Sequence, residues 1–181
     1  KKCEKEFMKT IEEFIEEEEL KKIDGFLNIY SNDDDSVFYL KLDKEDLNEK
    51  FIYFSYVMNA PQGSTLTGGL PSDGKVYEFR SFKKDKIGLY QINTSYIKGD
   101  ETNNIAKSSI TNITEAFVEV FKPAARTEDS VLINLNSIIL SEKMDSISYV
   151  PSEYREYISV DYGMPDEAKT FVKNIYNNMT N

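Results

Sequence analysis

Apolar residues recur at every second position over most of this chain, and that period commits it to strands rather than helices. In residues 37–42, Phe38, Leu40 and Leu42 alternate with Tyr39 and Lys41, which gives the run one apolar face and one mixed face. Residues 26–30 form a similar run, and the turn formers of 31–36 join the two. Residues 51–58, Phe-Ile-Tyr-Phe-Ser-Tyr-Val-Met, are apolar or aromatic on both faces, which reads as a central strand covered on each side. Strands are expected again at 75–82 and 87–93, with Lys83, Lys84 and Asp85 as a tight polar turn between them. A further antiparallel pair is expected from 114–122 and 130–135, then a helical turn near 137–143 and an irregular stretch over 144–166. Residues 170–176 read as a final strand, with a helix as the alternative.

A helical period stands out at the N-terminus, where Phe7, Ile11, Phe14 and Ile15 recur at helical spacing within residues 4–22. Glu12, Glu13 and Glu16 to Glu19 fill the opposite face as a solvated side. The expected architecture is mainly β, with antiparallel sheet or sheets around one core, and α+β as the alternative. It divides into a helical arm at residues 1–21 and a β-rich domain at 22–181. A chain of 181 residues is long enough for one such core, and no apolar run approaches the ~18 residues of a membrane span.

Charge and residue types narrow the chemistry. With 32 acidic against 22 basic residues the net charge is −10, which opposes binding to nucleic acid or to anionic membrane surfaces. Histidine is absent, which removes the commonest metal ligand and the commonest general base together. Cys3 has no second cysteine to pair with, and Lys1 and Lys2 before it argue against a lipid anchor. The opening without Met suggests a start inside a longer precursor. Asp33, Asp34 and Asp35 are consecutive, whereas a calcium loop alternates its ligands, so they read as a solvated turn. The glycine-rich stretch ending in Lys75 fails as a phosphate loop, because Val76 stands where Ser or Thr would meet magnesium. Residues 59–74, with Gly63, Gly68, Gly69, Gly74, Pro61 and Pro71, read as a long loop suited to docking. No catalytic, cofactor-binding or metal-binding residue is assigned, and a small-molecule ligand is not expected.

Several segments follow one another in a consistent order: Lys22-Ile23-Asp24-Gly25-Phe26 leading to Ile29-Tyr30, then Phe51-Ile52-Tyr53-Phe54-Ser55-Tyr56. Gly74-Lys75-Val76 with Phe79 and Phe82 comes next, followed by Asn93-Thr94-Ser95-Tyr96, Asn112-Ile113-Thr114, Val131-Leu132-Ile133 and Ile139-Leu140-Ser141-Glu142. This run resembles the N-terminal domain of unknown function in large bacterial zinc-dependent metalloproteases. The resemblance covers roughly residues 21–145, and more loosely 157–176, where Tyr162-Gly163-Met164-Pro165 suggests a turn; the loop 61–70 departs from it.

The resemblance implies a non-catalytic accessory domain of a secreted, periplasmic or cell-surface protease, with its own downstream protease domain as partner. Zinc and the metzincin-type His-Glu-x-x-His helix would belong to that downstream domain. The alternative is a stand-alone extracellular ligand-binding or adhesion module. The expected docking surface is the stripe Phe7, Ile11, Phe14 and Ile15, or the loop carrying Gly68 and Gly69.

Overall fold

Thr10 begins the N-terminal helix and Glu19 ends it. In the computed structural model, which describes residues 9–56, 58, 74–83, 85–94, 115–141, 143, 144 and 170–178, helix α1 spans Ile11–Glu17. Thr10 Oγ1 accepts from the Glu13 N–H at 3.3 Å while Glu13 Oε2 accepts from the Thr10 N–H at 3.0 Å. Two orphan amides are satisfied reciprocally, so the helix starts here. At the other end Glu19 turns left-handed at φ 51°. The Leu20 N–H then reaches the Ile15 carbonyl at 2.9 Å and the Glu19 N–H the Glu16 carbonyl at 3.3 Å. The helix is therefore seven residues long. This corrects the expected span of 4–22 at its C-terminal end, because Lys21–Ile23 is already strand β1.

The remaining strands among the described residues are β2 Ile29–Ser31, β3 Phe38–Asp43, β4 Lys50–Tyr53, β5 Lys75–Phe82 and β6 Lys86–Ile92. They continue with β7 Ala116–Phe121, β8 Ala125–Arg126 and β9 Ser130–Asn134, and a short helix α2 follows at Asn136–Ile139. Two antiparallel sheets result, of order β1-β2-β3-β9-β8 and β4-β5-β6-β7. The fold is mainly β, as the alternation requires. The β5–β6 pair and the helical turn stand where they were expected, while the strand expected at 26–30 is corrected to Ile29–Ser31, which pairs with β3.

One main core lies between the sheets. Phe38, Leu40 and Leu42 of β3 with Val131 and Ile133 of β9 meet Tyr77 and Phe79 of β5, Ile87 and Leu89 of β6 and Phe121 of β7. On the other face of the five-stranded sheet, Ile11 of α1 is buried with Ala125 and Leu132, flanked by Phe14, Ile15, Tyr30 and Tyr39. Phe14 meets Tyr39 edge-on at 5.4 Å between ring centroids.

Two further expectations are corrected. Strands β7 and β9 do fall within the expected 114–122 and 130–135, yet β7 joins β6 in one sheet and β9 joins β3 in the other. Pro123 has no amide hydrogen to extend the ladder beyond β7. The Ala124 N–H instead bonds the Leu132 carbonyl at 2.8 Å, opening the β8–β9 pair. Residues 170–178 contain neither the expected strand nor a helix. Residues 145–169 lie outside the described residues.

The β3–β9 pair ends at Asp43 opposite Ser130. The Ser130 hydroxyl donates to Asp43 Oδ1, and Lys41 Nζ stands 3.2 Å from the same oxygen. The Ser130 hydrogen bond, aided by Lys41, holds the Asp43 carboxyl below its ordinary value against the opposing effect of burial. A depressed folded-state value means that this stabilisation is complete above the ordinary carboxylate range and is lost as pH falls through the folded value. Ser130→Ala is therefore expected to raise the Asp43 titration midpoint in a carbon-detected NMR titration. It should also flatten the fall in stability below the ordinary range.

Candidate functional site

The register of the four-stranded sheet arranges its outer face in rows. Lys50, Glu78, Tyr90 and Phe117 face one another across β4 to β7, and Ile52, Val76 and Ile92 form the adjacent row. Arg80 pairs with Gly88 and Gly88 with Val120 in the row beyond.

Gly88 lets aromatic rings close over the middle of this face. The Phe117 ring centroid lies 5.1 Å from that of Phe82 and 5.0 Å from that of Tyr90. A Cβ on Gly88 would stand 2.8 Å from Tyr90 Cε2 and 3.1 Å from Phe117 Cε2. Gly88→Val is expected to push these rings apart and to destabilise the fold by about 1–3 kcal/mol, measured by urea unfolding.

Arg80 ties the rings to two carboxylates. Its Nε donates to Glu78 Oε1 at 2.5 Å, its Nη1 donates to Glu115 Oε2, and its guanidinium lies 4.9 Å from the Tyr90 ring centroid. Hydrogen bonding to Glu78, then to Glu115, raises the Arg80 pKa further, so it stays a cation throughout. Glu78 is only 5% exposed although it belongs to the outer face. Arg80 is thus occupied in ordering the surface. The sequence carried a signal for this pair, since Glu78 and Arg80 are two apart on a strand and share a face, and for the ring cluster, since a glycine inside a strand marks close approach.

Toward β4 the face becomes apolar and open. Ile52 is 65% exposed, Phe54 53%, Tyr56 64% and Met58 85%. These residues belong to the run 51–58 expected to be one central strand covered on both sides, and the structure corrects that reading: β4 is an edge strand that ends at Tyr53, so Ile52 lies on its open face and Phe54, Tyr56 and Met58 lie beyond it. Phe51 and Tyr53 face the core, where Phe51 stacks on Tyr77 and Phe79 at 6.0 and 5.4 Å and Tyr53 meets Tyr77 edge-on at 5.9 Å. Their alternates point outward. Gly74 lies under the Phe54 ring, where a Cβ would be 2.5 Å from Cε1.

Three residues of the expected docking stripe lie on the five-stranded sheet. Ile11 is 1% exposed, and Phe14 and Ile15 pack with it on the five-stranded sheet. The domain's own sheet covers Ile11, Phe14 and Ile15 of this stripe. Phe7, Gly68 and Gly69 lie outside the described residues. Asp33 to Asp35 form an exposed turn in which Asn32 Oδ1 accepts from the Ser36 and Val37 N–H groups at 2.9 and 3.0 Å. Lys21 pairs with Asp33 at 2.7 Å.

A concavity of about 120 Å³ at one end of the two sheets is lined by Lys44, Arg126, Asp129 and Asp85 among others. Its Lys44 pairs with Asp129 at 2.6 Å and its Arg126 with Asp85 at 2.9 Å, so these charges satisfy one another. Among the described residues no three His, Cys, Asp or Glu are grouped to hold a metal, and no helix is long and apolar enough to cross a membrane. The chain matches no family model, no curated protein and no solved structure.

Proposed function

We propose that this chain is the non-catalytic accessory domain of a secreted or periplasmic zinc-dependent metalloprotease, and that it supports or restrains a catalytic domain downstream. The ordered run of segments from Lys22 to Glu142 supports the family reading. The observation that carries the docking role is the exposure of four large apolar side chains close in sequence, Ile52, Phe54, Tyr56 and Met58, in and just after β4. Leaving them in water forgoes about 1.5–3 kcal/mol for each large side chain a partner could bury completely. Zinc is assigned to the downstream domain, because this chain has no imidazole and carboxylates alone make poor zinc ligands.

The test begins with the gene: the reading frame should continue and encode His-Glu-x-x-His. The catalytic region is then expressed with and without residues 1–181, and with Ile52→Lys and Phe54→Asp together. A lower thermal midpoint or aggregation without the domain supports a structural role, and a higher peptidase rate supports restraint. The double substitution should reproduce the same change while leaving the midpoint of the isolated domain in place. If midpoint, solubility and rate are all unchanged, the reading fails, and a stand-alone ligand-binding or adhesion module replaces it.

A further inference from the structure

Residues 170–178 form neither helix nor strand, yet one side chain anchors them firmly. Asn177 Oδ1 accepts from the Leu27 N–H at 3.0 Å, and its Nδ2 donates to the Leu27 carbonyl at 2.7 Å and the Ile23 carbonyl at 2.9 Å. A primary amide presents the same donor and acceptor as a peptide group, so Asn177 pairs with Leu27 as a neighbouring strand would. Ile23 is the last residue of β1 and Leu27 lies just before β2, so the side chain fills the mouth of the connection between these two strands. The same device recurs where Asn136 Oδ1 accepts from the Phe38 N–H at 2.9 Å and Asn136 Nδ2 donates to the Ser36 carbonyl at 2.6 Å.

The body is shaped for this segment. Gly25 has φ 156°, and a Cβ there would stand 1.9 Å from the Asn177 carbonyl oxygen. Only a glycine admits that approach. Val172 and Ile175 pack against the main core, while Phe171 just before them and Tyr176 just after are 79% and 80% exposed. A cavity of about 250 Å³ lies at the contact, lined by Ile23 and Phe38 on the body and by Val172 and Ile175 on the segment. Lys173, the one charged residue within 170–178, lines it together with Asp35, an opposite charge in a chain of net −10.

We propose that the end of the two sheets beside β1 is a peptide-docking groove. It selects a segment that is neither helix nor strand, with an apolar residue, a second apolar residue three positions on and an asparagine two beyond that. Residues 172–177 of this chain are its occupant, held as a removable strap. Separability is built into this arrangement: the sheets pair through their own ladders, and the strap contributes only Val172 and Ile175, both partly buried, to the main core.

The experiment is hydrogen–deuterium exchange on the full chain, comparing the unmodified protein with Asn177→Asp, a nearly isosteric change that removes both donors and sets a carboxylate against the Ile23 and Leu27 carbonyls, driving the segment off. Exchange at the Leu27 amide and across 170–178 should accelerate roughly tenfold, with the amides of β3, β5, β6 and β9 unchanged. A synthetic peptide of residues 170–178 should bind that variant one to one and restore Leu27 protection. Val172→Ser, which leaves the loop at Gly25 untouched, should repeat the pattern if the aspartate variant fails to fold. Acceleration throughout both sheets would overturn the proposal by making the segment an integral part of the core. An unchanged Leu27 amide, or failure of the peptide to bind the variant, would overturn it equally. Leu27 protection that rises with concentration in the unmodified protein would overturn the occupant named here, because a second copy would then fill the groove.

Discussion

Arg80→Met is expected to destabilise the domain by about 3–5 kcal/mol at neutral pH, the cost of breaking a buried charge pair from one side. The substitution keeps most of the packing volume and removes the cation. Glu78, 5% exposed, then keeps a carboxylate with neither its ion pair nor its hydrogen bond from Nε. Glu115 loses its bond from Nη1 as well, and Tyr90 loses the guanidinium over its ring. Arg80 is itself 30% exposed, so water screens part of the pair and places the effect toward the lower end of that range. Urea unfolding of Arg80→Met, Glu78→Gln and the double variant makes a cycle. The double variant should recover much of the loss, because the uncompensated charge is gone. A loss below about 1 kcal/mol for Arg80→Met would show that water reaches Glu78 freely.

Leu132→Ala is expected to cost about 2–5 kcal/mol and, unlike other core truncations, to release α1. Leu132 is fully buried on the helix-facing side of β9, in a cluster of three buried residues with Ile11 and Ala125. So small a cluster has few neighbours able to move in and fill the space. A helix of seven residues falls well short of the ~12–15 needed for stability alone, so its docking contact holds it despite the favourable cap at Thr10. Ile11→Ala should act on the same contact, and the two changes together should cost less than their sum. Leu40→Ala serves as the comparison, since Leu40 faces the other way into the main core. It should cost a similar amount while amide protection over residues 14–20 survives under native conditions. Additive losses, or equal release of α1 by Leu40→Ala, would place the helix in the main cooperative unit.

The helix also shows where local signals were readable and where they were passed over. Thr10 and Glu13 three apart are a capping box in the sequence, and they mark the true start of α1. The glutamates after it extend the apparent helical face, but Glu19 takes a left-handed conformation that no periodicity reveals. The stripe of Ile11, Phe14 and Ile15 was visible as a stripe, yet nothing local says whether its cover is the same chain or another.

What the sequence by itself determined is the alternation, and with it the strands and their inward faces. Phe38, Leu40 and Leu42 turn to the core together because successive side chains of an extended chain point to opposite sides, a consequence of covalent geometry that needs no partner. Partnership was decided only in the tertiary structure. Strands 114–122 and 130–135 look like a hairpin by proximity, yet β9 finds β3, placing Asp43 against Ser130. Residues 51–58 are apolar on both faces, yet β4 ends at Tyr53 on the edge of its sheet, and Ile52 with Phe54, Tyr56 and Met58 beyond it is left exposed. The difference is physical: alternation is set by each residue's own backbone, while pairing and cover are set by contacts between segments distant in the chain, whose competing alternatives leave no local trace.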